Sequence, residues 1–148
     1  MSKSPTSDQG LGELLCFAVY SANLAFGRTY KPLLDTLGLT YPQYIALVAL
    51  YEEDGLTVSG LGERLFLESS TLTPLLKRLE AMGLVTRRRD PQDERQVRLS
   101  LTPKGRETRE KALAFWDELV ASSGMSPEAA SRLRGEIAQV RDSLLMGG

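Results

Sequence analysis

Cys16 is the one thiol in a chain of 148 residues, and the chain contains no histidine. These two facts bound the chemistry. One cysteine excludes a disulfide within the chain. The missing imidazole excludes histidine triads, imidazole acid–base catalysis and histidine metal sites. No cofactor, metal or catalytic constellation is expected, and an enzyme is not. What remains is the sulfur itself, whose thiolate form is a nucleophile. A cysteine in an apolar stretch also serves as a small hydrophobe, and spacing alone leaves that alternative open.

A second chemistry lies in the charges. The formal net charge is −1, which read globally argues against nucleic acid. From Lys77 to Arg106, however, nine bases face four acids, giving +5. The remainder carries nine bases and fifteen acids, −6. A local basic patch on an acidic body is enough to hold phosphates, because counterion release depends on the charges at the contact. A solvated charged face is the plainer alternative.

The elements that must position these residues are legible from periodicity and capping signals. Leu14 to Gly27 carries no charge and is apolar nearly all the way round a helix. A helix of that kind must be buried on several sides, which a small monomer cannot provide and a second subunit can. Gly38 is expected to end this helical region, with Pro32 bending it. Thr40-Tyr41-Pro42-Gln43 reads as a capping box ahead of the apolar run Tyr44 to Tyr51. After a turn at Glu53-Asp54-Gly55, a short helix is predicted over Val58 to Phe66, with Leu61 and Leu65 inward. Ser69, Ser70 and Thr71 open a fourth helix, with Pro74 close to its first turn and Leu72, Leu75, Leu76 and Leu79 as its buried stripe. Gly83 ends it.

The period then shortens to two. Leu84 to Arg88 and Val97 to Leu101 read as strands, with Arg89 to Gln96 as a charged loop between them. Thr102-Pro103 starts a long helix reaching about Ser122, and Ser126-Pro127 starts the last one. Leu133, Ile137, Val140 and Leu144 form its apolar stripe. The fold class is thus mainly α with a small β-hairpin wing: a winged helix-turn-helix at about 40–102, flanked by dimerisation helices at about 11–38 and 103–148, in one domain over 1–148.

In this arrangement the fourth helix is the candidate for the major groove of a double-stranded, pseudo-palindromic operator. Ser69, Ser70, Thr71 and Thr73 lie at its N-terminal end, where short hydroxyls meet phosphates or base edges. Lys77 and Arg78 lie farther along. In the wing, Asp93 and Arg95 are two apart, so in extended geometry the carboxylate pins the guanidinium. A held arginine at a hairpin tip suits a narrow minor groove.

Leu84-Val85-Thr86-Arg87, Asp90-Pro91-Gln92-Asp93-Glu94-Arg95, Val97 to Thr102 and Lys104-Gly105 carry a resemblance to the MarR-type winged-helix regulators, running from about Leu14 to Lys111. On the N-terminal side, Leu15-Cys16-Phe17, Tyr20, Tyr30 to Asp35 and Leu39 to Tyr44 resemble the organic-hydroperoxide sensors of the OhrR branch. That resemblance implies a homodimeric repressor that releases DNA when its cysteine is oxidised by an organic hydroperoxide. It also implies two tyrosines hydrogen-bonded to that cysteine, matching Tyr20 and Tyr30 beside Cys16. A second, resolving cysteine is absent, so the match is to the one-cysteine subtype, in which a low-molecular-weight thiol caps the sulfenate.

The residues agree with that implication in part. No cationic side chain lies within one turn of Cys16, and phenol donors are an alternative means of favouring a thiolate. Tyr20 is at i+4, on the same helical face. Tyr30 is fourteen positions on, about 21 Å along a continuous helix. It therefore reaches a Cys16 only across an antiparallel partner helix, in a sensor site shared between subunits. Three other readings stay open. One is a MarR-type repressor of a small phenolic or other ligand with Cys16 incidental. The others are a thiol peroxidase, for which no resolving cysteine is present, and a helical dimerisation module without DNA. No apolar run approaches the ~20 residues of a membrane span. The polar first ten residues hold no signal-peptide core, so a cytoplasmic protein is expected, with no membrane partner.

Overall fold

A computed structural model describes residues 10–147; the polar start of the chain, where no signal-peptide core was read, lies almost wholly outside them. After a 3₁₀ turn at Leu11–Glu13, the elements are α1 (Leu15–Asp35), α2 (Tyr41–Glu52), α3 (Val58–Leu65), α4 (Ser69–Ala81), β1 (Val85–Asp90), β2 (Asp93–Leu101), α5 (Pro103–Ser122) and α6 (Pro127–Met146). No helix among the described residues is long and apolar enough to cross a membrane.

Local hydrogen bonds set most of the boundaries. Thr40 and Gln43 form a reciprocal capping box, the backbone N–H of Thr40 donating to Gln43 Oε1 at 2.9 Å and that of Gln43 to Thr40 Oγ1 at 3.4 Å. The hydroxyls of Thr57, Thr102 and Ser126 accept from the N–H three residues on at the starts of α3, α5 and α6. Each satisfies an orphan donor of a first turn. Gly38 (φ +69°) and Gly83 (φ +75°) take the left-handed conformation that stops α1 and α4.

The core lies in the middle of the chain. Leu47, Leu50, Leu61, Leu72, Leu76, Leu79, Leu84, Val85 and Leu99 are fully buried together. The expected stripe of α4 is buried as read, while Leu65 of α3 is half-buried. α5 is fastened to this core at its first turn. Thr102 N donates to Leu84 O at 3.0 Å, and its hydroxyl to Gly83 O at 2.6 Å. A Cβ on Gly105 would lie 2.1 Å from Leu84 O, so the Leu-Thr-x-x-Gly segment is a close packing of helix on turn.

One expectation needs correction. The charged stretch Arg89–Gln96 is not a loop: the strands extend to Asp90 and restart at Asp93, leaving Pro91–Gln92 as the turn. Pairing runs from Val85↔Leu101 to Arg89↔Val97, then jumps to Asp90↔Asp93. A two-stranded ribbon in water on both faces needs no apolar alternation at its end, so the pattern could not mark it. Pro74 sits at the sixth helical position, a full turn in, and α4 continues through it. Its missing N–H leaves the Ser70 carbonyl without a ladder partner, at an exposed position.

α1 and α6 bury little. Leu34 is the one buried residue of α1, and α6 has none. Leu15, Val19, Leu24 and Phe26 of α1 are exposed, as are Leu133, Ile137, Val140 and Leu144 of α6.

Candidate nucleic-acid interface and thiol site

The N-terminal end of α4 projects its hydroxyls outward. Glu68 occupies the N-cap position without a side-chain cap bond, so Ser69, Ser70 and Thr71 are not consumed in capping. Among the described residues these three hydroxyls have no intramolecular partner, and all three residues are exposed. Thr73 donates its hydroxyl hydrogen to Ser69 O at 2.9 Å, keeping only acceptor capacity. Lys77 and Arg78 are exposed on the same helix, opposite the buried leucines.

The wing holds Asp93 and Arg95 as their spacing requires. Asp93 Oδ1 accepts from both the backbone N–H (3.2 Å) and the Nε (3.3 Å) of Arg95. The Arg95 side chain is 93% exposed, so its free guanidinium edge points into solvent. An exposed pair of this kind adds little stability, about 0–1 kcal/mol. Its effect is on direction: one torsionally free cation becomes an aimed one.

Sequence reasoning missed what holds the wing at its angle. Arg98 donates from Nε to Asp90 Oδ2 at 3.0 Å and from Nη1 to Gly55 O at 2.9 Å. Asp90 also accepts from Gln92 N at 2.9 Å. That backbone bond, and then the Arg98 guanidinium, hold the Asp90 carboxyl below the usual carboxylate range. Arg87 grips Glu80 of α4 through two bonds of 3.1 Å. The hairpin is thus tied both to the α2–α3 turn and to α4. Nothing local signals the Arg98–Gly55 contact, which spans 43 positions.

On α1, Cys16 is exposed on the helix's apolar face. Tyr20 is exposed one turn on, its ring 6.5 Å from that of Phe17. Among the described residues Cys16 makes no hydrogen bond, and the chain does not bring Tyr20 and Tyr30 together around it. Tyr30 instead packs on Tyr41 of α2, with ring centroids 4.9 Å apart. Burial, then the neighbouring phenols Tyr41 and Tyr44, push the Tyr30 hydroxyl well above the ordinary phenol range. Tyr30 is therefore a hydrogen-bond donor at every physiological pH. Tyr41 is the residue missed here. The signal was its place at the first turn of α2, beside the capping box and facing the end of α1.

Phe26–Tyr30–Tyr41–Tyr44 forms one aromatic row joining α1 to α2. Arg109 of α5 lies 4.1 Å over the Tyr51 ring, tying α5 to the far end of α2. Arg141 of α6 lies 4.7 Å over Phe66, the left-handed residue (φ 57°) closing α3 immediately before α4. Between α1, α5 and α6 is a cavity of about 1190 Å³, lined by Leu24, Phe26, Tyr30, Trp116, Leu133 and Ile137 among others.

Residues 28–112 match the family model "Transcriptional regulator SarA/Rot". The chain is 44% identical over 130 residues to the organic hydroperoxide resistance transcriptional regulator of Bacillus subtilis, covering 88% of each. The chain is a winged-helix transcriptional regulator of the MarR/SarA type. The regulator is also 50% identical to the HTH-type transcriptional regulator TtmR of Methylorubrum extorquens, over 97% of this chain and 74% of that one. Among solved structures it resembles reduced AbfR bound to DNA, with a TM-score of 0.71 and 35% identity over 91% of this chain and 94% of that one. These relatives make the regulator a DNA-binding protein, not an enzyme, and agree with the wing and helix geometry above.

Proposed function

We propose that the regulator is a dimeric repressor that senses organic hydroperoxides through Cys16 and releases its operator on oxidation. The observation that carries the reading is the position of the chain's one thiol: exposed, on an apolar helix face that a single chain leaves uncovered, in a close relative of a hydroperoxide resistance regulator. In the dimer, helices at about 11–38 and 103–148 of two chains cover one another, and the winged portion, about 40–102, faces DNA. Antiparallel α1 helices bring Tyr30 of one chain to Cys16 of the other, with Tyr20 alongside. The Tyr30 phenol then donates to the thiolate.

The thiolate sulfur attacks the outer oxygen of the hydroperoxide. The S–O bond forms as the O–O bond breaks, sulfur loses two electrons, and the alkoxide leaves as an alcohol after taking a proton. The apolar surroundings, Leu14, Leu15, Phe17 and Val19, favour a bulky organic peroxide over hydrogen peroxide. A small thiol then displaces the sulfenate hydroxyl as water, leaving a mixed disulfide too large for the original seam. The repacking reaches DNA through contacts named above: Tyr30 on Tyr41 at the start of α2, and Arg141 on Phe66 ahead of α4. Moving two α4 helices off the ~34 Å spacing of successive major grooves weakens binding. A 10²- to 10³-fold loss, about 3–4 kcal/mol, suffices for derepression.

At the DNA, Ser69, Ser70, Thr71, Thr73, Lys77 and Arg78 lie in the major groove, and Arg95, aimed by Asp93, enters the minor groove. The test is Cys16→Ser in a gel shift. The variant is expected to bind operator and to stay bound when cumene hydroperoxide is added. Release of the variant by peroxide would end the redox reading. The cavity beside Trp116 and Tyr30 favours a second reading, in which a phenolic or other small ligand is the inducer and Cys16 is incidental. Peroxide-independent release of both proteins by such a ligand would select it.

A further inference from the structure

The wing carries five arginines, and they are not equivalent. Arg87 is bound to Glu80, Arg95 to Asp93, and Arg98 to Asp90 and Gly55. Arg89 donates from Nη1 to the Glu94 carbonyl at 2.9 Å. Among the described residues, Arg88 is the wing arginine with no intramolecular partner. It is exposed, and it sits directly across the ladder from Arg98. Two like charges in facing positions on a ribbon repel. Arg98 is neutralised by Asp90 and drawn toward Gly55, so the uncompensated charge of that cross-strand pair is Arg88.

We infer that Arg88 is a phosphate-binding residue of the wing, supplying affinity without sequence preference. Its position gives the reason. Arg88 lies three residues behind Pro91 in an extended strand, about 10 Å from the hairpin turn. The minor groove of B-DNA is about 7.5 Å deep. When the turn is in the groove, a side chain 10 Å behind it is outside, level with the sugar–phosphate rim. A planar guanidinium meets a phosphodiester there through two parallel N–H donors. Arg87 and Arg98, with their donors already engaged, hold the ribbon at its angle instead. This assignment rests on the minor-groove placement of the wing tip proposed above.

The experiment is a salt titration of full-length protein on a labelled random-sequence 24-base-pair duplex between 50 and 200 mM KCl. Each phosphate contact adds about 0.9 to the slope of log affinity against log salt, or about 3.5-fold over this range. Arg88→Gln is expected to flatten the slope by about 0.9 per engaged wing, and Arg88→Lys to keep it. The double variant Lys111→Gln/Glu107→Gln, which removes an exposed ion pair of α5, is expected to leave the slope unchanged. All variants should melt within a few degrees of the parent. An unchanged slope for Arg88→Gln overturns the proposal, as does an equal flattening in the double variant. Arg95→Ala on operator DNA tests the tip separately: if it binds as the parent does while Arg88→Gln still flattens the slope, the tip placement fails and the phosphate contact stands.

Discussion

At the scale of single residues, the wing is a set of held cations. Arg95 is the one aimed outward, and its loss is expected to cost about 1–3 kcal/mol of operator affinity, read as a 5- to 150-fold rise in Kd for Arg95→Ala. Asp90 does a different job, bonded to Gln92 and Arg98. Because its carboxyl is held low in the folded state, it stabilises the fold at every pH above the ordinary carboxylate value of about 3.9, and that contribution is lost as pH falls through the lower folded value. Thermal melts between pH 7 and pH 3 should show the parent losing this part of its stability. Asp90→Asn should be less stable at pH 7 and less sensitive to acid, and parallel curves for the two proteins would rule the assignment out. The spacing of Asp93 and Arg95 was enough to foresee their pairing, because a period of two is a property of the strand alone. The bond from Arg98 to Gly55 was not foreseeable, because it joins segments that only the packed core brings together.

At the scale of elements, the start of α5 decides how wing and helix meet. Gly105 passes so close to Leu84 that a methyl group would overlap its carbonyl oxygen. Gly105→Ala is expected to cost about 3 kcal/mol, at the upper end of overpacking, since backbone is the obstacle rather than a mobile side chain. A drop of about 10 °C in Tm measures it. The helix starts at Thr40, Thr102 and Ser126 were readable because a cap is a bond across three residues. The length of the hairpin was not, since its far end is charged on both faces and carries no burial pattern. Pro74 falls close to the first turn of α4 as its spacing from Ser69 implied, and exposure at Ser70 makes the missing bond tolerable.

At the scale of the whole molecule, two apolar faces are left over. The stripe Leu133, Ile137, Val140 and Leu144 has the right period for a helix seam, and each of the four is more than 40% exposed in the single chain. Ile137→Asp places a carboxylate in the middle of that stripe. It is expected to shift sedimentation from dimer to monomer and to weaken operator binding by 10²-fold or more, since the two half-sites are then bound independently. A variant that remains dimeric would remove α6 from the interface. Cys16 and Tyr30 stand apart in one chain because the continuous helix α1 separates them by about 21 Å. In the proposed dimer they meet across the seam.

The division between what was written in the sequence and what was not follows the range of the forces involved. Caps, apolar periods, the Asp93–Arg95 spacing and the absence of histidine or a second cysteine act within a few residues, and they determined a winged helix-turn-helix with one thiol. Tertiary structure decided the rest. It tied the wing down through Arg98 and Glu80, set Tyr30 against Tyr41, and left Arg88, among the described residues, as the one wing arginine without a partner. Those outcomes depend on which distant backbone atoms arrive within 3 Å of a side chain, and that distance exists only once the core of α2, α3, α4 and β2 has packed.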